Sequence, residues 1–208
     1  LYLGAAIAVA PQGLACGVQD IGTAASGAHT GEIAAEMVAD VGGLWAIVGH
    51  SERRLSQNEG DDLVGTKTAA ALRGGLNPIV CVGETAAERD AGHEKIVVQR
   101  QLAAVLDRVD HAQVGNIAIG YEPVWAIGTG VTASPEQAQE MHEFVRQLLS
   151  EVDAEMAAQI RIVYGGSVKP DNAAQIFAQQ DIDGGLVGGA SLNAADFTAI
   201  IDAAAQAR

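Results

Sequence analysis

The sequence is poor in cysteine, proline, aromatic residues and positive charge. Only 2 of its 208 residues are Cys and 5 are Pro, aromatic residues make up 4%, and 12 Lys and Arg face 26 Asp and Glu. Cys16 and Cys81 each lie inside an apolar run, which favours buried free thiols in a reducing cytoplasm and provides no metal-ligand spacing. We therefore expect a cytoplasmic protein without a metal or other cofactor.

Charge and hydropathy exclude further classes of function. The net charge of −14 argues against nucleic acid and anionic membranes as partners. No apolar run approaches the roughly 20 residues of a transmembrane helix. A local phosphate site remains compatible with the acidic surface, because backbone N–H groups and helix ends can form one.

Short apolar runs alternate with Ala-rich amphipathic stretches, which predicts a parallel sheet with right-handed crossovers. About six β-α units result, which fits either an open doubly wound sheet or a barrel short of the usual eight. We predict a single domain over residues 1–208. The predicted strands are 14–19, 44–48, 78–82, 117–121, 160–164 and 185–187, and the predicted helices are 1–10, 31–41, 61–74, 86–107, 134–157, 170–179 and 194–207.

The segment 121–130 reads Tyr-Glu-Pro-Val-Trp-Ala-Ile-Gly-Thr-Gly and follows an apolar run. Pro123 ends the strand because it has no N–H for the ladder, so Glu122 lies at a strand's carboxyl end, where barrel enzymes place catalytic groups. A carboxylate beneath an apolar lid is typical of a general base, whereas the alternative is an ordinary surface loop. The predicted lid comprises Pro123, Val124, Trp125, Ala126, Ile127, Gly128, Thr129 and Gly130.

A second polar cluster, Gly-His-Ser-Glu-Arg-Arg at 49–54, follows the strand 44–48. In a barrel, His50 would lie at the same end of the strands as Glu122. Ser51 can cap the helix that follows, and the positive helix end favours a neutral imidazole, which can polarise a carbonyl. The alternative is a loop histidine that is hydrogen-bonded for structure.

Two glycine pairs follow the last two predicted strands, in the segments 164–168 (Tyr-Gly-Gly-Ser-Val) and 186–192 (Leu-Val-Gly-Gly-Ala-Ser-Leu). Glycine allows close backbone approach to an anion, and barrels often bind phosphate with these two loops. Neither segment matches Gly-x-Gly-x-x-Gly or a Walker loop, which argues against a nucleotide enzyme.

Together these four segments resemble the signatures of the triosephosphate isomerase family, in the family's order. Segments 17–20 and 26–32 also resemble that family's long third loop, and the resemblance covers essentially all 208 residues. It implies a TIM (β/α)8 barrel that interconverts dihydroxyacetone phosphate and D-glyceraldehyde 3-phosphate in glycolysis and gluconeogenesis. It also implies a homodimer formed through the loop 20–32, and no cofactor.

The resemblance assigns roles residue by residue. Glu122 would move the proton between substrate carbons, neutral His50 would polarise the carbonyl, and Glu52 would be a supporting carboxylate; this division of labour is the established one for triosephosphate isomerase. The remaining assignments are phosphate binding by the N–H groups of Gly128, Ser167, Gly188 and Gly189, and interface positions for Gln19 and Thr30, with Thr30 reaching towards the partner's site.

The sequence departs from the family pattern at its start. The family's first strand, first helix and second strand, with an Asn-x-Lys motif, have no counterpart, and Lys67, Lys95 and Lys169 stand in other contexts. Without the Lys of this motif, electrostatic stabilisation of the enediolate would be weaker. The unpaired edges of the sheet could also pair with a strand of another chain. The alternative function is therefore a truncated, barely active or inactive barrel scaffold. Another phosphate-binding barrel isomerase, of the indole or histidine pathway, would not call for the Glu122–Pro123 lid.

Overall fold

The computed structural model describes residues 1–207, which form two compact units. The first unit comprises Leu1–Val80 and Gln101–Ala118, and the second comprises residues 81–100 and 119–207. The prediction of a single TIM-barrel domain over residues 1–208 stays a prediction.

The first unit contains parallel strands packed with helices. Strand β1 (Gly17–Val18) pairs with β2 (Trp45–Val48), which pairs with β3 (Asn77–Val82), in a register that sets Val18 opposite Ala46 and Val48 opposite Val80. The last two residues of β3 belong to the second unit. The helices of this part are α1 (Leu3–Val9), α2 (Ala35–Asp40), α3 (Ser51–Ser56) and α4 (Asp61–Arg73), and a 3₁₀ turn spans His111–Asn116.

The second unit repeats this arrangement. Strand β4 (Ala118–Tyr121) pairs in parallel with β5 (Ile162–Tyr164), which pairs with β6 (Gly184–Gly185). Tyr121 lies opposite Tyr164, and Tyr164 lies opposite Gly185. The helices are α5 (Ala86–Asp90), α6 (Glu94–Leu106, which continues into the first unit), α7 (Pro135–Val152), α8 (Ala154–Ala157), α9 (Ala173–Phe177) and α10 (Ala194–Gln206), with 3₁₀ turns at Val124–Ala126 and Gly189–Leu192.

Six parallel strands alternating with helices confirm the predicted α/β class and its six β-α units. Two predicted helices are each divided in two. Gly92 adopts φ +71° between α5 and α6, and Asp153 is extended between α7 and α8. Strands β1 and β6 are shorter than predicted, and β6 begins one residue earlier.

Helix α7 begins where its sequence predicts. The Ser134 hydroxyl accepts a hydrogen bond from the N–H of Gln137 (3.2 Å), and the Gln137 side chain accepts one from the N–H of Ser134 (2.9 Å), with Pro135 at the first helical position. This reciprocal cap satisfies backbone donors that the helix itself leaves unpaired.

The second unit has a dense core between its strands and α7. Tyr121, Tyr164, Met141, His142 and Leu149 are all fully buried. Burying a large apolar side chain stabilises the fold by about 2 kcal/mol, so this layer holds the strand ends in place. Among residues 1–207, no helix combines the length and the apolar character needed to cross a membrane.

Candidate active site

Three candidate segments leave the carboxyl ends of consecutive strands in the second unit. Glu122 follows β4, the loop 165–167 follows β5, and Gly188 and Gly189 come shortly after β6. The pairing continues just beyond the strands, since the N–H of Gly165 donates to Tyr121 O (2.7 Å) and that of Leu186 donates to Tyr164 O (2.9 Å). Parallel pairing therefore brings these predicted site residues to one edge of the sheet.

Glu122 is held by close backbone packing. Its side chain is 2% exposed, and its N–H donates to Val82 O at 2.7 Å. A Cβ at Gly83 would overlap the Glu122 carbonyl, and one at Gly165 would lie 2.9 Å from Glu122 Cγ. Glycine at these two positions therefore leaves the space that the Glu122 backbone and side chain occupy at the end of β4.

The predicted lid, residues 123–130, begins directly after Glu122 and contains a 3₁₀ turn over Val124–Ala126. The Thr129 hydroxyl donates to Trp125 O (2.8 Å), closing the segment on itself. Gly128 and Gly130 have φ of +69° and +81°, which other residues rarely adopt. Ala126 is buried, while Val124, Trp125 and Ile127 are half-buried and present apolar surface.

A buried carboxylate that the sequence analysis missed holds the lid's first turn. Glu84 has no solvent exposure, and its Oε1 accepts from Trp125 Nε1 (2.7 Å) and Arg89 Nη1 (2.9 Å). The Tyr121 hydroxyl donates to the same carboxylate (3.1 Å), and burial raises the pKa of Tyr121 well above its ordinary value. Arg89 also lies 4.8 Å from the Trp125 ring centre, a cation–π distance. The available signal was the position of Glu84 two residues after the end of the apolar strand β3, which is similar to the position of Glu122 directly after β4.

The glycine-rich loops are braced by side chains next to them. The amide of Asn172 donates to Ser167 O (3.0 Å) and its oxygen accepts from the N–H of Lys169 (2.8 Å). The hydroxyl of Ser191 donates to Gly188 O at 2.7 Å. A Cβ at Gly188 or Gly189 would meet nothing within 4 Å, so open space adjoins this backbone. Such loops can present N–H groups to a phosphate.

His50 lies in the first unit, at the carboxyl end of β2. Its Nδ1 accepts a long hydrogen bond (3.4 Å) from the N–H of Glu52 in the first turn of α3. The predicted cap at Ser51 is therefore wrong, because the His50 side chain caps the helix while Ser51 is its first, buried residue. A histidine whose Nδ1 accepts a hydrogen bond carries its proton on Nε2 when the ring is neutral. Glu52 is 82% exposed, with Oε2 3.9 Å from His50 Nδ1.

The backbone ahead of His50 is fixed by Arg54. The Arg54 guanidinium donates to Gly49 O (2.8 Å) and to Asp61 (2.7 Å). Gly49 has φ +70°, and a Cβ there would lie 2.6 Å from Val64 Cγ1. The turn that presents the imidazole thus depends on a glycine and on a paired arginine.

The third loop, residues 19–32, is also in the first unit. Gln19 and Thr30 are exposed, and the N–H of Gly22 donates to Ile33 O (2.8 Å) at the loop's base. An anchor cluster of four charged residues that the sequence analysis missed fixes the start of the loop; its members are Asp20, Arg53, Glu59 and Lys67.

The anchor cluster is tightly paired. The buried Lys67 ammonium contacts both Asp20 and Glu59 at 2.7 Å, and Arg53 contacts the same two carboxylates at 2.9 and 2.8 Å. Burial raises the pKa of Asp20 despite the hydrogen bond from Lys67. Burial acts on Glu59 in the same direction, but hydrogen bonds from Lys67 and Arg53 outweigh it and its pKa is lowered. Lys67 is therefore committed to the loop anchor.

The predicted residues thus fall into two groups. The first unit holds His50, Glu52, Gln19 and Thr30, and the second holds Glu122, the lid, Ser167, Gly188 and Gly189. Within residues 1–207, no group of three or more His, Cys, Asp or Glu side chains is arranged to bind a metal ion.

Comparison with known proteins identifies the family. The sequence model of the family described as triosephosphate isomerase matches residues 1–204. A triosephosphate isomerase of Stenotrophomonas maltophilia (strain R551-3) is 54% identical over 193 residues, which cover 93% of this chain and 77% of the relative. A triosephosphate isomerase of Cupriavidus pinatubonensis (strain JMP 134 / LMG 1197) is 54% identical over 187 residues, covering 90% and 76%. The predicted resemblance is confirmed, and the chain belongs to the triosephosphate isomerase family of isomerases.

Proposed function

We propose that this chain interconverts dihydroxyacetone phosphate and D-glyceraldehyde 3-phosphate by proton transfer through an enediolate. The observation that carries the proposal is the buried Glu122 at the carboxyl end of β4, between a lid and the loops that follow β5 and β6. Family membership supports the same reaction. Nothing among the described residues favours the alternative of an inactive scaffold.

Glu122 acts as the general base in this proposal. Its carboxylate removes the proton from C1 of dihydroxyacetone phosphate and, as the acid, returns it to C2. Between these two transfers the hydroxyl proton on the C1 oxygen moves to the C2 oxygen, so that the product carries an aldehyde at C1 and a hydroxyl at C2. An almost fully buried carboxylate suits this role, because water is kept from the carbanionic intermediate. Gly83 and Gly165 hold it in place by leaving room for its backbone and Cγ.

His50 acts as the electrophile. Its Nε2–H donates to the substrate carbonyl oxygen, which becomes the enediolate oxygen as the proton leaves carbon. The N–H of Glu52 at Nδ1 supports a neutral ring, since a second proton on Nδ1 would break that hydrogen bond. Glu52, largely exposed, is assigned a supporting electrostatic role.

Backbone N–H groups of Gly128, Ser167, Gly188 and Gly189 hold the phosphate. A Cβ at Gly128, Gly188 or Gly189 would meet nothing within 4 Å, so an anion has room beside these N–H groups, and the 3₁₀ turn after Gly188 adds a favourable dipole. Phosphate binding by backbone N–H groups needs no cationic side chain on these loops. It is therefore compatible with the strongly negative net charge of the chain.

The test is a substitution series at Glu122 with a matched control. Glu122→Gln removes the base, and we expect kcat to fall by at least about 10³-fold in coupled assays of both directions, together with loss of solvent-hydrogen incorporation into product. Glu122→Asp should retain more activity than Glu122→Gln. Glu151→Gln, on the exposed surface of α7, should match the wild type. Unchanged turnover in Glu122→Gln would refute the assignment.

We also propose that the chain forms a homodimer through the loop 20–32, with Gln19 and Thr30 at the interface. Both residues are exposed, while the start of the loop is fixed by the anchor cluster, so the loop presents a defined surface. Sedimentation should give twice the mass of one chain for the wild type and a monomer for Thr30→Arg. A monomeric wild type contradicts the dimer.

The cytoplasm is the compartment that we propose. Neither Cys16, which is half-buried, nor the buried Cys81 forms a disulfide, which is typical of proteins in a reducing compartment. Fractionation of producing cells should recover the protein with cytoplasmic markers, and recovery with periplasmic or membrane markers would contradict this.

A further inference from the structure

His142 is a fully buried histidine on α7 that the mechanism proposed above does not use. Its ring packs against that of Tyr121 at the end of β4, with the ring centres 5.7 Å apart and the planes at 87°. Aromatic rings prefer such an edge-to-face arrangement, and it restricts how both rings can turn. Through this imidazole, α7 therefore contacts the residue that directly precedes Glu122.

The orientation of the His142 ring is fixed by its own helix. Nδ1 lies 3.2 Å from the carbonyl oxygen of Asp181, and because a carbonyl can only accept, Nδ1 carries the proton and donates. Asp181 is itself held by α7, since Gln139 Nε2 donates to its Oδ2 (2.6 Å) and Arg146 Nε donates to its Oδ1 (3.0 Å). Gln139, His142 and Arg146 follow the i, i+3, i+7 spacing of one helix face. The imidazole therefore meets Tyr121 from a fixed position.

Tyr121 connects His142 to the predicted lid. Its hydroxyl lies 3.1 Å from both carboxylate oxygens of Glu84, and Oε1 of Glu84 also accepts from Trp125 Nε1 at 2.7 Å. Burial raises the pKa of Tyr121 well above its ordinary value, so the hydroxyl keeps its proton and donates. A turn of the Tyr121 ring would therefore disturb the carboxylate that holds Trp125.

We propose that His142 is a positioning residue for the predicted lid, because by holding the Tyr121 ring it aligns the Glu84 carboxylate to which Trp125 is bound. All four residues belong to the second unit. The inference rests on the proposed isomerase function only for its effect on turnover, since the contacts exist without substrate. A histidine that merely fills the core would leave Trp125 and turnover unchanged when another ring replaces it.

The fluorescence of Trp125 tests the positioning without an activity assay. Because the chain has 2 Trp, Trp45→Phe leaves Trp125 as the single indole. In that background, His142→Phe keeps a planar ring but cannot donate to Asp181 O, and we expect Trp125 to emit at longer wavelength and to be quenched more readily by acrylamide. Leu149→Val, which trims another buried side chain of α7, is the control and should leave both quantities unchanged. An unchanged Trp125 in a folded His142→Phe protein overturns the proposal.

Kinetics test whether His142 acts through Tyr121. In the otherwise wild-type chain, we expect His142→Phe to lower kcat/KM about tenfold, because a displaced first turn of the predicted lid impairs closure over the substrate. Once Tyr121→Phe has removed the hydroxyl that reaches Glu84, the same change at His142 should alter kcat/KM by less than about twofold. Equal effects of His142→Phe in the two backgrounds overturn the route through Tyr121.

A second variant covers the case in which His142→Phe does not fold. His142→Asn retains an N–H for Asp181 O but removes the ring from Tyr121, so we again expect Trp125 to emit at longer wavelength, and unchanged emission again overturns the proposal. The two proposals fail separately. A wild type without isomerase activity would refute the proposed function, whereas the emission of Trp125 would still decide the role of His142.

Discussion

The indole Nε1 of Trp125 donates a hydrogen bond of 2.7 Å to Oε1 of Glu84, a carboxylate with no solvent exposure. Trp125 belongs to the lid, while Glu84 lies just beyond β3. The lid's first turn is therefore fastened to the buried end of a strand, next to Glu122. The N–H of Val124 adds a second tie, since it donates to Glu84 O at 3.1 Å.

Glu84→Gln should destabilise the fold. The amide can still accept from Trp125 or Tyr121, but it cannot neutralise Arg89, whose charge is mostly buried. We expect the free energy of unfolding to fall by about 2 kcal/mol, the scale of hydrogen bonds to charged groups. Urea denaturation measures this, with the exposed Glu151→Gln as control. Equal stability of the two variants would show that the Glu84 charge is not needed.

Gly165→Ala should impair catalysis without unfolding the protein. The added Cβ would lie 2.9 Å from Glu122 Cγ and 3.1 Å from Tyr121 O, so the base must shift. A displacement of about 1 Å in a catalytic group can lower kcat roughly 100-fold. The control is Gly115→Ala, where a Cβ meets nothing within 4 Å. Full kcat in a folded Gly165→Ala protein would argue against Glu122 as the base.

Lys67→Met should loosen the anchor cluster. It leaves the buried Glu59 and the half-buried Asp20 with only Arg53 as a cation, and breaking a buried ion pair costs about 3 kcal/mol. Lys95→Met is the matched control, because its pair with Glu140 is exposed and should contribute under about 1 kcal/mol. Denaturant midpoints compare the two, and similar losses would contradict the cluster's importance.

Stability should decline in mild acid because of His142. Burial lowers the pKa of His142 from 6.5 to about 4. The hydrogen bond that its ring donates to the Asp181 carbonyl and the charge of Asp183 oppose this lowering, while Arg146 adds to it. As pH falls, the unfolded state binds a proton at this histidine before the folded state does. The contribution of the neutral His142 to the free energy of unfolding is therefore fully present above pH 6.5 and is lost as the pH falls towards 4, by about 3 kcal/mol in total.

The measurement for this prediction is urea unfolding between pH 7 and pH 4. Carboxylates titrate in the same range, so the informative quantity is the difference between the wild type and His142→Phe. We expect the free energy of unfolding of the wild type, relative to that of His142→Phe, to fall by about 3 kcal/mol from pH 7 to pH 4. A difference independent of pH would mean that His142 titrates normally in the folded protein.

Local signals explain why several site residues could be predicted. Pro123 stops an apolar run directly after Glu122, and glycine pairs follow the runs of β5 and β6, so neighbours in the chain indicate the strand ends. The cap of α3 was predicted wrongly at Ser51 because a serine is the commoner capping residue. The choice of His50 depends on backbone angles that the local pattern does not reveal.

Residues missed by the sequence analysis make their contacts across long stretches of chain. Glu84 precedes its partner Trp125 by 41 positions, and Asp20 precedes Lys67 by 47. A single carboxylate after a strand has no distinctive pattern. Its role becomes visible only when the indole, the guanidinium of Arg89 and the Tyr121 hydroxyl converge on it.

The sequence by itself determined the family, the alternation of strands and helices, and the presence of a carboxylate, a histidine and two glycine pairs at strand ends. These depend on periodicity, glycine and proline, which act over a few residues. Only the tertiary structure decided that Glu84 binds the first turn of the predicted lid, that Lys67 pairs with the carboxylates of the anchor cluster, and that the His142 ring is buried against Tyr121. The physical reason is that burial and charge pairing depend on which distant segments pack together, and one-dimensional patterns do not specify that.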